Sequence, residues 1–140
     1  MPSANLDLVR SLYAAWRHGD WSSAEWADPE IEFVVVDGPS PGIWTGVNGM
    51  VEGFRKVLDA WEGYRGEAEE YREIDDEKVL ALITVSGRGK ASGLHVETPA
   101  ANLFHIRDGK VTRLAIYWDR DLAFADLGLS RRGDPTGPPE

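Results

Sequence analysis

The sequence predicts an α+β fold in which helices pack on one face of a curved antiparallel sheet. Helical periodicity dominates the first 61 residues, which contain a single short apolar strand pattern. From residue 64 onward the apolar residues follow the two-residue period of strands. The pair Asp108-Gly109 separates two of these runs and is a strong hairpin signal. Helices first and an antiparallel meander afterwards are typical of the α+β class.

The helical part of the chain divides into three segments. Residues 5–18 predict an amphipathic helix with Asn5 as its N-cap. Asp20 can cap a second, shorter helix that ends before Pro29, because the residue preceding a proline avoids helical torsions. After the strand pattern of residues 31–36 and a loop rich in glycine and proline, Asn48 is the expected N-cap of a third helix. Its apolar stripe is Met50, Phe54, Val57, Leu58 and Trp61.

The second part of the chain predicts four strands and a short final helix. The helix spans residues 119–129 and has Gly128 as its C-cap glycine. We interpret residues 1–129 as a single domain and residues 130–140, rich in proline and glycine, as a flexible tail. The strands are expected at residues 64–74, 78–89, 94–107 and 110–118.

Composition excludes several classes of protein. Fifteen basic residues against 24 acidic ones give a formal charge of -9, which opposes binding to nucleic acid or to anionic membranes. The sequence has no cysteine, so disulfides and thiolate metal sites are excluded. No apolar run is long enough to span a bilayer, and the first ten residues lack the pattern of a signal peptide. We therefore expect a cytoplasmic protein.

Four phrases of the sequence resemble the nuclear transport factor 2-like superfamily, and in particular its SnoaL-like branch. The resemblance covers residues 5–129 and implies a cone-shaped, highly curved antiparallel sheet whose concave face holds the N-terminal helices and encloses an apolar pocket. The superfamily contains isomerases, cyclases, epoxide hydrolases, dehydratases and binding modules, so the fold alone does not give the activity. The phrases are HGDW at 18–21, DPEIEF at 28–33, WTGVNGMVEGF at 44–54 and IRDGKVTRLAIYW at 106–118.

The residues that line this implied pocket follow from the alternation of strand side chains. The predicted lining is aromatic and aliphatic, which suits a hydrophobic small molecule. The histidines lack acidic neighbours at ligand spacing, so neither a metal nor a cofactor is expected. The predicted substrate-binding residues are Leu12, Tyr13, Trp16, Phe33, Val35, Trp44, Phe54, Phe104, Leu114, Ile116 and Trp118.

Two polar residues are the candidates for catalysis, and both come from a resemblance to ketosteroid isomerase. In that enzyme a base carboxylate lies nine residues before a glycine, as Asp37 lies before Gly46. The position of its protonated oxyanion-hole aspartate corresponds to Asn102, whose amide can donate a hydrogen bond. Its oxyanion-hole tyrosine corresponds to Leu12. The acid used by SnoaL-type cyclases and limonene-type epoxide hydrolases corresponds to Ile116, so those activities do not carry over.

Two interpretations of function follow and remain open at this point. In the first, Asp37 is the base of a proton transfer on a hydrophobic carbonyl compound and Asn102 polarises the oxygen. In the second, the pocket binds a hydrophobic ligand without chemistry, and Asp37 holds a turn through backbone hydrogen bonds. The resemblance also implies a homodimer through the outer face of the sheet. Its apolar outward positions are Leu80, Leu82, Ala115 and Tyr117.

Overall fold

The computed structural model describes residues 4–17, 25–38, 41–59 and 61–128. Within them three helices pack on one largely antiparallel sheet, as the α+β prediction requires. In chain order the elements are α1 (Ala4–Arg17), β1 (Ala27–Val35), β2 (Gly42–Thr45), α2 (Gly46–Asp59), β3 (Trp61–Asp75), β4 (Lys78–Gly89), β5 (His95–Arg107), β6 (Lys110–Tyr117) and α3 (Arg120–Leu127).

The six strands form one sheet in the order β2-β1-β6-β5-β4-β3. The last four strands are an antiparallel meander, and β1 joins it by pairing in parallel with β6. β2 and β3 are the two edges, so the sheet is curled but does not close. The hairpin between β5 and β6 turns at Asp108 (φ 53°) and Gly109 (φ 76°), as predicted, because a tight two-residue turn of this type needs positive φ at both positions.

The sheet has two covered faces, and the predicted alternation assigns residues to them correctly. The inner face is the one in contact with α1 and α2, and it carries Phe104, Ile106 and Ile116 in the main core. The outer face carries Leu103 and Tyr117 beneath α3 in a second apolar cluster. Both faces are therefore buried by helices of the same chain.

The second predicted helix is the least accurate part of the sequence analysis. Residues 18–24 lie outside the described residues, but Glu25 and Trp26 form a turn and Ala27 begins β1. The strand begins early because the backbone N–H of Val111 in β6 donates to the Trp26 carbonyl. Pro29 is tolerated because the register with β6 is irregular between Ala27 and Glu32, where no ladder bond is required of it.

Three smaller corrections concern helix ends and an unpredicted strand. Asn5 lies inside α1 and donates a hydrogen bond to the Asp76 carbonyl, so it is not an N-cap. α2 begins at Gly46, two residues before Asn48, and ends before Trp61, which belongs to β3. β2 was not predicted from the sequence, because it follows a segment rich in glycine and proline. It is a short edge strand that pairs with β1 over four residues.

The final helix agrees with its sequence signals. The Asp119 side chain accepts a hydrogen bond from the Asp121 N–H at the N-terminus of α3, and Gly128 ends the helix with φ 69°. Arg120 donates to backbone carbonyls of β5 and β4, and Tyr117 donates to the Asp126 carboxylate. These contacts fasten α3 to the outer face of the sheet.

Candidate ligand-binding cavity

A cavity of about 180 Å³ lies between the inner face of the sheet and the helices α1 and α2, and we call it the inner cavity. Both helices and all strands of the meander contribute to it. Of its lining residues Arg17, Arg65 and Glu67 are exposed, so they mark its mouth. The lining consists of Tyr13, Trp16, Arg17, Phe54, Tyr64, Arg65, Gly66, Glu67, Ile83, Asn102 and Ile116.

Aromatic rings form one wall of the inner cavity. Trp16 meets Tyr13 edge-on at 5.0 Å and Phe54 at 6.5 Å between ring centroids. Phe54 in turn stacks on Phe33 at 4.5 Å, and Trp16 stacks on Phe104 at 6.5 Å. Because each ring is held by another ring, this wall is preformed and offers a planar apolar molecule a surface to stack on.

Asn102 is the polar centre of the inner cavity. Its side-chain Nδ2 donates a 2.6 Å hydrogen bond to the hydroxyl of Tyr13, and the residue is only 8% exposed. Among the described residues nothing donates to its Oδ1, although this atom is buried. A buried acceptor without a donor is rare and costs about 1–3 kcal/mol. The amide therefore has one hydrogen-bonding position that no described residue fills.

The two tyrosines of the inner cavity keep their protons under ordinary conditions. Burial raises the pKa of Tyr13 far above its usual value, and the hydrogen bond from Asn102 opposes that shift without cancelling it. Burial also raises the pKa of Tyr64 to about 12. Both phenols are therefore neutral near pH 7, so the cavity presents hydroxyl groups and no tyrosinate.

Asp37 lies at the end of β1, outside the set of residues that line the inner cavity. One of its carboxylate oxygens accepts from the Trp118 N–H at 2.7 Å, and the other accepts from the Asp119 N–H at 3.0 Å. The next residue, Gly38, passes so close beneath the Trp118 ring that a Cβ would lie 2.3 Å from it. The carboxylate thus joins the end of β1 to the end of β6. Its role as a base stays a prediction.

The structure divides the predicted substrate-binding residues into three groups. Tyr13, Trp16, Phe54 and Ile116 line the inner cavity together with Asn102. Trp44 packs on Phe33, and Trp118 stacks on Trp61 and borders a separate cavity of about 480 Å³ beside α3. The remaining side chains are buried in the main core: Leu12, Phe33, Val35, Phe104 and Leu114.

Sequence analysis missed the contribution of β3 to this site. None of its residues was among the predicted site residues, yet Tyr64, Gly66 and Ala68 alternate with Arg65 and Glu67. The alternation places Tyr64 and Ala68 against the main core. This two-residue period was the sequence signal that could have assigned β3 to the site. Arg17 gave no comparable signal, because it follows the last apolar position of α1.

Two further searches cover only the described part of the chain. It contains no group of three or more histidine, aspartate or glutamate side chains that could hold a metal ion. It also contains no helix long and apolar enough to cross a membrane.

Comparison with known proteins identifies a family and a set of similar structures. The model of the SnoaL-like domain matches residues 9–114. A comparison of the sequence with curated proteins finds no match.

Three solved structures are similar over most of the chain. TerC, co-crystallised with polyporic acid, is 25% identical, with a TM-score of 0.69 over 89% of this chain and 98% of its own. A protein of unknown function from Burkholderia pseudomallei, described as NTF2-like, is 19% identical. Its TM-score is 0.74, and the match covers 88% of this chain and 96% of that protein. Bal32a, from a soil-derived mobile gene cassette, is 19% identical. Its TM-score is 0.72, and the match covers 83% of this chain and 89% of Bal32a.

Proposed function

Because this chain belongs to the SnoaL-like domain family, we propose that it binds a small apolar molecule in the inner cavity and holds it through Asn102. The observation that carries the proposal is the buried Oδ1 of Asn102, which has no hydrogen-bond donor among the described residues. Cavities with apolar walls and one or two placed polar groups are the usual form of small-molecule sites. The inner cavity has this composition.

The ligand we propose carries a hydroxyl or N–H group that donates to Asn102. Such a donor removes the cost of the unfilled acceptor, whereas a purely apolar ligand leaves it in place. Tyr13 keeps its proton and accepts from the same amide, which holds the side chain in position.

The size of the inner cavity limits the ligand. A volume of about 180 Å³ accommodates one or two rings, and a larger molecule must extend through the mouth. TerC, which is similar to this chain in fold, was co-crystallised with a small molecule, polyporic acid. That likeness supports small-molecule binding by this chain and leaves the identity of the ligand open.

A matched pair of probes tests the role of Asn102. Naphthol carries an O–H donor, and methoxynaphthalene has the same rings without it. We expect naphthol to bind more tightly by about 2- to 10-fold in calorimetric titrations, the range of one net hydrogen bond. In Asn102→Leu this preference should disappear. Equal binding of both probes to the natural chain would rule out the donor role of the ligand.

A second variant tests whether the inner cavity is where the probes bind. A Cβ on Gly66 would lie 3.7 Å from the Tyr64 hydroxyl and 3.9 Å from Ile83, so Gly66→Leu fills the cavity without a backbone clash. We expect this variant to lose most of its affinity for both probes, while Gly66→Ala keeps it. Unchanged binding in Gly66→Leu would place the ligand elsewhere.

Proton transfer with Asp37 as the base and Asn102 as the polarising group is the second candidate function. The nine-residue spacing from Asp37 to Gly46 favours it, while the absence of Asp37 from the cavity lining favours binding without chemistry. If a hydrophobic carbonyl compound is turned over, Asp37→Asn should lower the rate by about 100-fold or more. An unchanged rate would exclude Asp37 as the base.

The cytoplasmic homodimer expected from the sequence also stays a proposal. Leu80, Leu82, Ala115 and Tyr117 are at most 5% exposed within one chain, so these side chains add little area to an interface. The dimer proposal therefore rests on the family alone. Light scattering that gives the mass of a monomer at micromolar concentration would remove it.

A further inference from the structure

The mouth of the inner cavity has the opposite charge to the protein as a whole. The chain carries nine more acidic than basic residues. Around the mouth, Arg17 and Arg65 face a single acidic residue, Glu67. An adjoining groove of about 140 Å³ adds Arg10 and no further acid. The described parts of the mouth and of the adjoining groove together have three positive charges and one negative charge.

Among the described residues, the two arginines that line the inner cavity have no ion pair, unlike four other arginines of the chain. Arg72, Arg107, Arg113 and Arg120 each lie within 4.0 Å of a glutamate carboxylate. Their partners are, in the same order, Glu70, Glu77, Glu32 and Glu69. Neither Arg17 nor Arg65 has such a partner among the described residues. Within that part of the chain their guanidinium groups are available to a ligand.

From this arrangement we infer that the ligand of the inner cavity is an organic acid, whose ionised group lies at the mouth against Arg17 and Arg65. The inference rests on the proposed function. A guanidinium group matches a carboxylate with two parallel hydrogen bonds, which favours a carboxylic acid over a neutral ester. The ring system enters the cavity, and a donor at its far end reaches Asn102. The ligand class is thus a small aromatic acid with a hydroxyl group distant from its acid group.

One molecule and its ester test the inference. Hydroxynaphthoate, in the isomer with its hydroxyl and carboxylate at opposite ends of the rings, carries both groups, and its methyl ester lacks only the charge. We expect the acid to bind the natural chain more tightly than the ester. Arg17→Gln and Arg65→Gln should each weaken binding of the acid by about threefold, and the double variant by about tenfold, with the ester unaffected.

Two controls separate the local effect from net charge. Arg107→Gln changes the charge of the chain equally, but Arg107 lies at the hairpin between β5 and β6 and does not line the inner cavity. The Arg107→Gln variant should bind the acid with the same affinity as the natural chain. Raising the salt concentration to about 0.5 M should weaken binding of the acid and leave the ester unchanged, because exposed charges are screened.

The outcomes distinguish this inference from the proposed function. If the ester binds and the acid binds no more tightly, or if the Arg17 and Arg65 variants match Arg107→Gln, the inference is overturned and the proposed function stands. If the acid, the ester and naphthol all fail to bind, the proposed function fails and the inference fails with it.

Discussion

Asp37 accepts hydrogen bonds with both carboxylate oxygens from two consecutive backbone N–H groups, those of Trp118 and Asp119. Hydrogen bonds to a charged group contribute about 1.5–3 kcal/mol each when they are well made. The carboxylate thereby connects two strand ends that are 81 residues apart in sequence. This structural role is independent of any catalytic one, so stability measurements can examine it separately.

Substitutions of Asp37 should lower the free energy of unfolding in a graded way. Asp37→Asn keeps one acceptor and places an NH₂ group against the second N–H, so we expect a loss of about 1 kcal/mol. Asp37→Leu removes both acceptors, and we expect a loss of about 2 kcal/mol or more. Urea unfolding followed by circular dichroism measures both. Equal stability of the Leu variant and the natural chain would contradict this assignment.

At the scale of elements, the contact of α2 with β1 and β2 depends on close approach. A Cβ on Gly53 would lie 2.6 Å from the Phe33 ring and 2.9 Å from the Trp44 ring. A Cβ on Gly49, one turn earlier on the same helix, would be 3.5 Å from its nearest neighbour, an ordinary contact. The helix thus has one glycine required by packing and one that is not.

The two glycines give a prediction with an internal control. Gly49→Ala should stabilise the protein by about 0.5–1 kcal/mol, because alanine is the better helix former. Gly53→Ala gains the same propensity but overpacks the interface with β1, and we expect a net loss of about 1–3 kcal/mol. Thermal unfolding of the two variants measures the difference. A Gly53→Ala variant as stable as Gly49→Ala would mean that α2 does not approach the sheet this closely.

The outer face of the sheet is covered by a helix of the same chain. Leu80, Leu82, Ala115 and Tyr117 were correctly assigned to it by the period of two, and they had suggested a dimer interface. The structure covers them with α3, whose C-cap glycine was predicted from sequence. The helix itself was foreseen, but its docking on this face was not.

At the scale of the whole molecule, the fold places all four tyrosines in environments that disfavour their ionised form. Burial is the largest cause at each of them and raises the pKa of Tyr13, Tyr64, Tyr71 and Tyr117. For Tyr117 the pKa rises to about 12. In the unfolded chain all four should ionise near the ordinary value of about 10.

Alkaline pH should therefore destabilise the protein. Because the folded-state pKa values are raised, the tyrosines contribute full stability below about pH 10 and lose that contribution as the pH rises from there through the folded values. Tyrosinate absorbance should increase at higher pH in the native chain than in urea, and the urea midpoint should fall as the pH rises above about 10. Coincident titrations of the native and unfolded chains would contradict the burial of these phenols.

The sequence by itself determined the class of fold, most strand positions and the face on which each strand residue lies. β4 spans the predicted residues 78–89, and the hairpin turns at the predicted pair. These features are local, because Cβ directions alternate along any strand and tight turns need particular backbone torsions. The same alternation assigned Asn102 and Ile116 to the inner face, where both line the inner cavity.

Only the tertiary structure decided which of these residues meet. Asn102 bonds Tyr13 across 89 residues, and Asp37 bonds Trp118 across 81. Both contacts depend on the insertion of β1 in parallel beside β6 and on the curl that brings β3 against α1. Periodicity assigns a side chain to a face but does not specify its neighbour across that face. The neighbours are set by long-range strand order, so the charged mouth and the unfilled acceptor of Asn102 emerge only when the sheet is assembled.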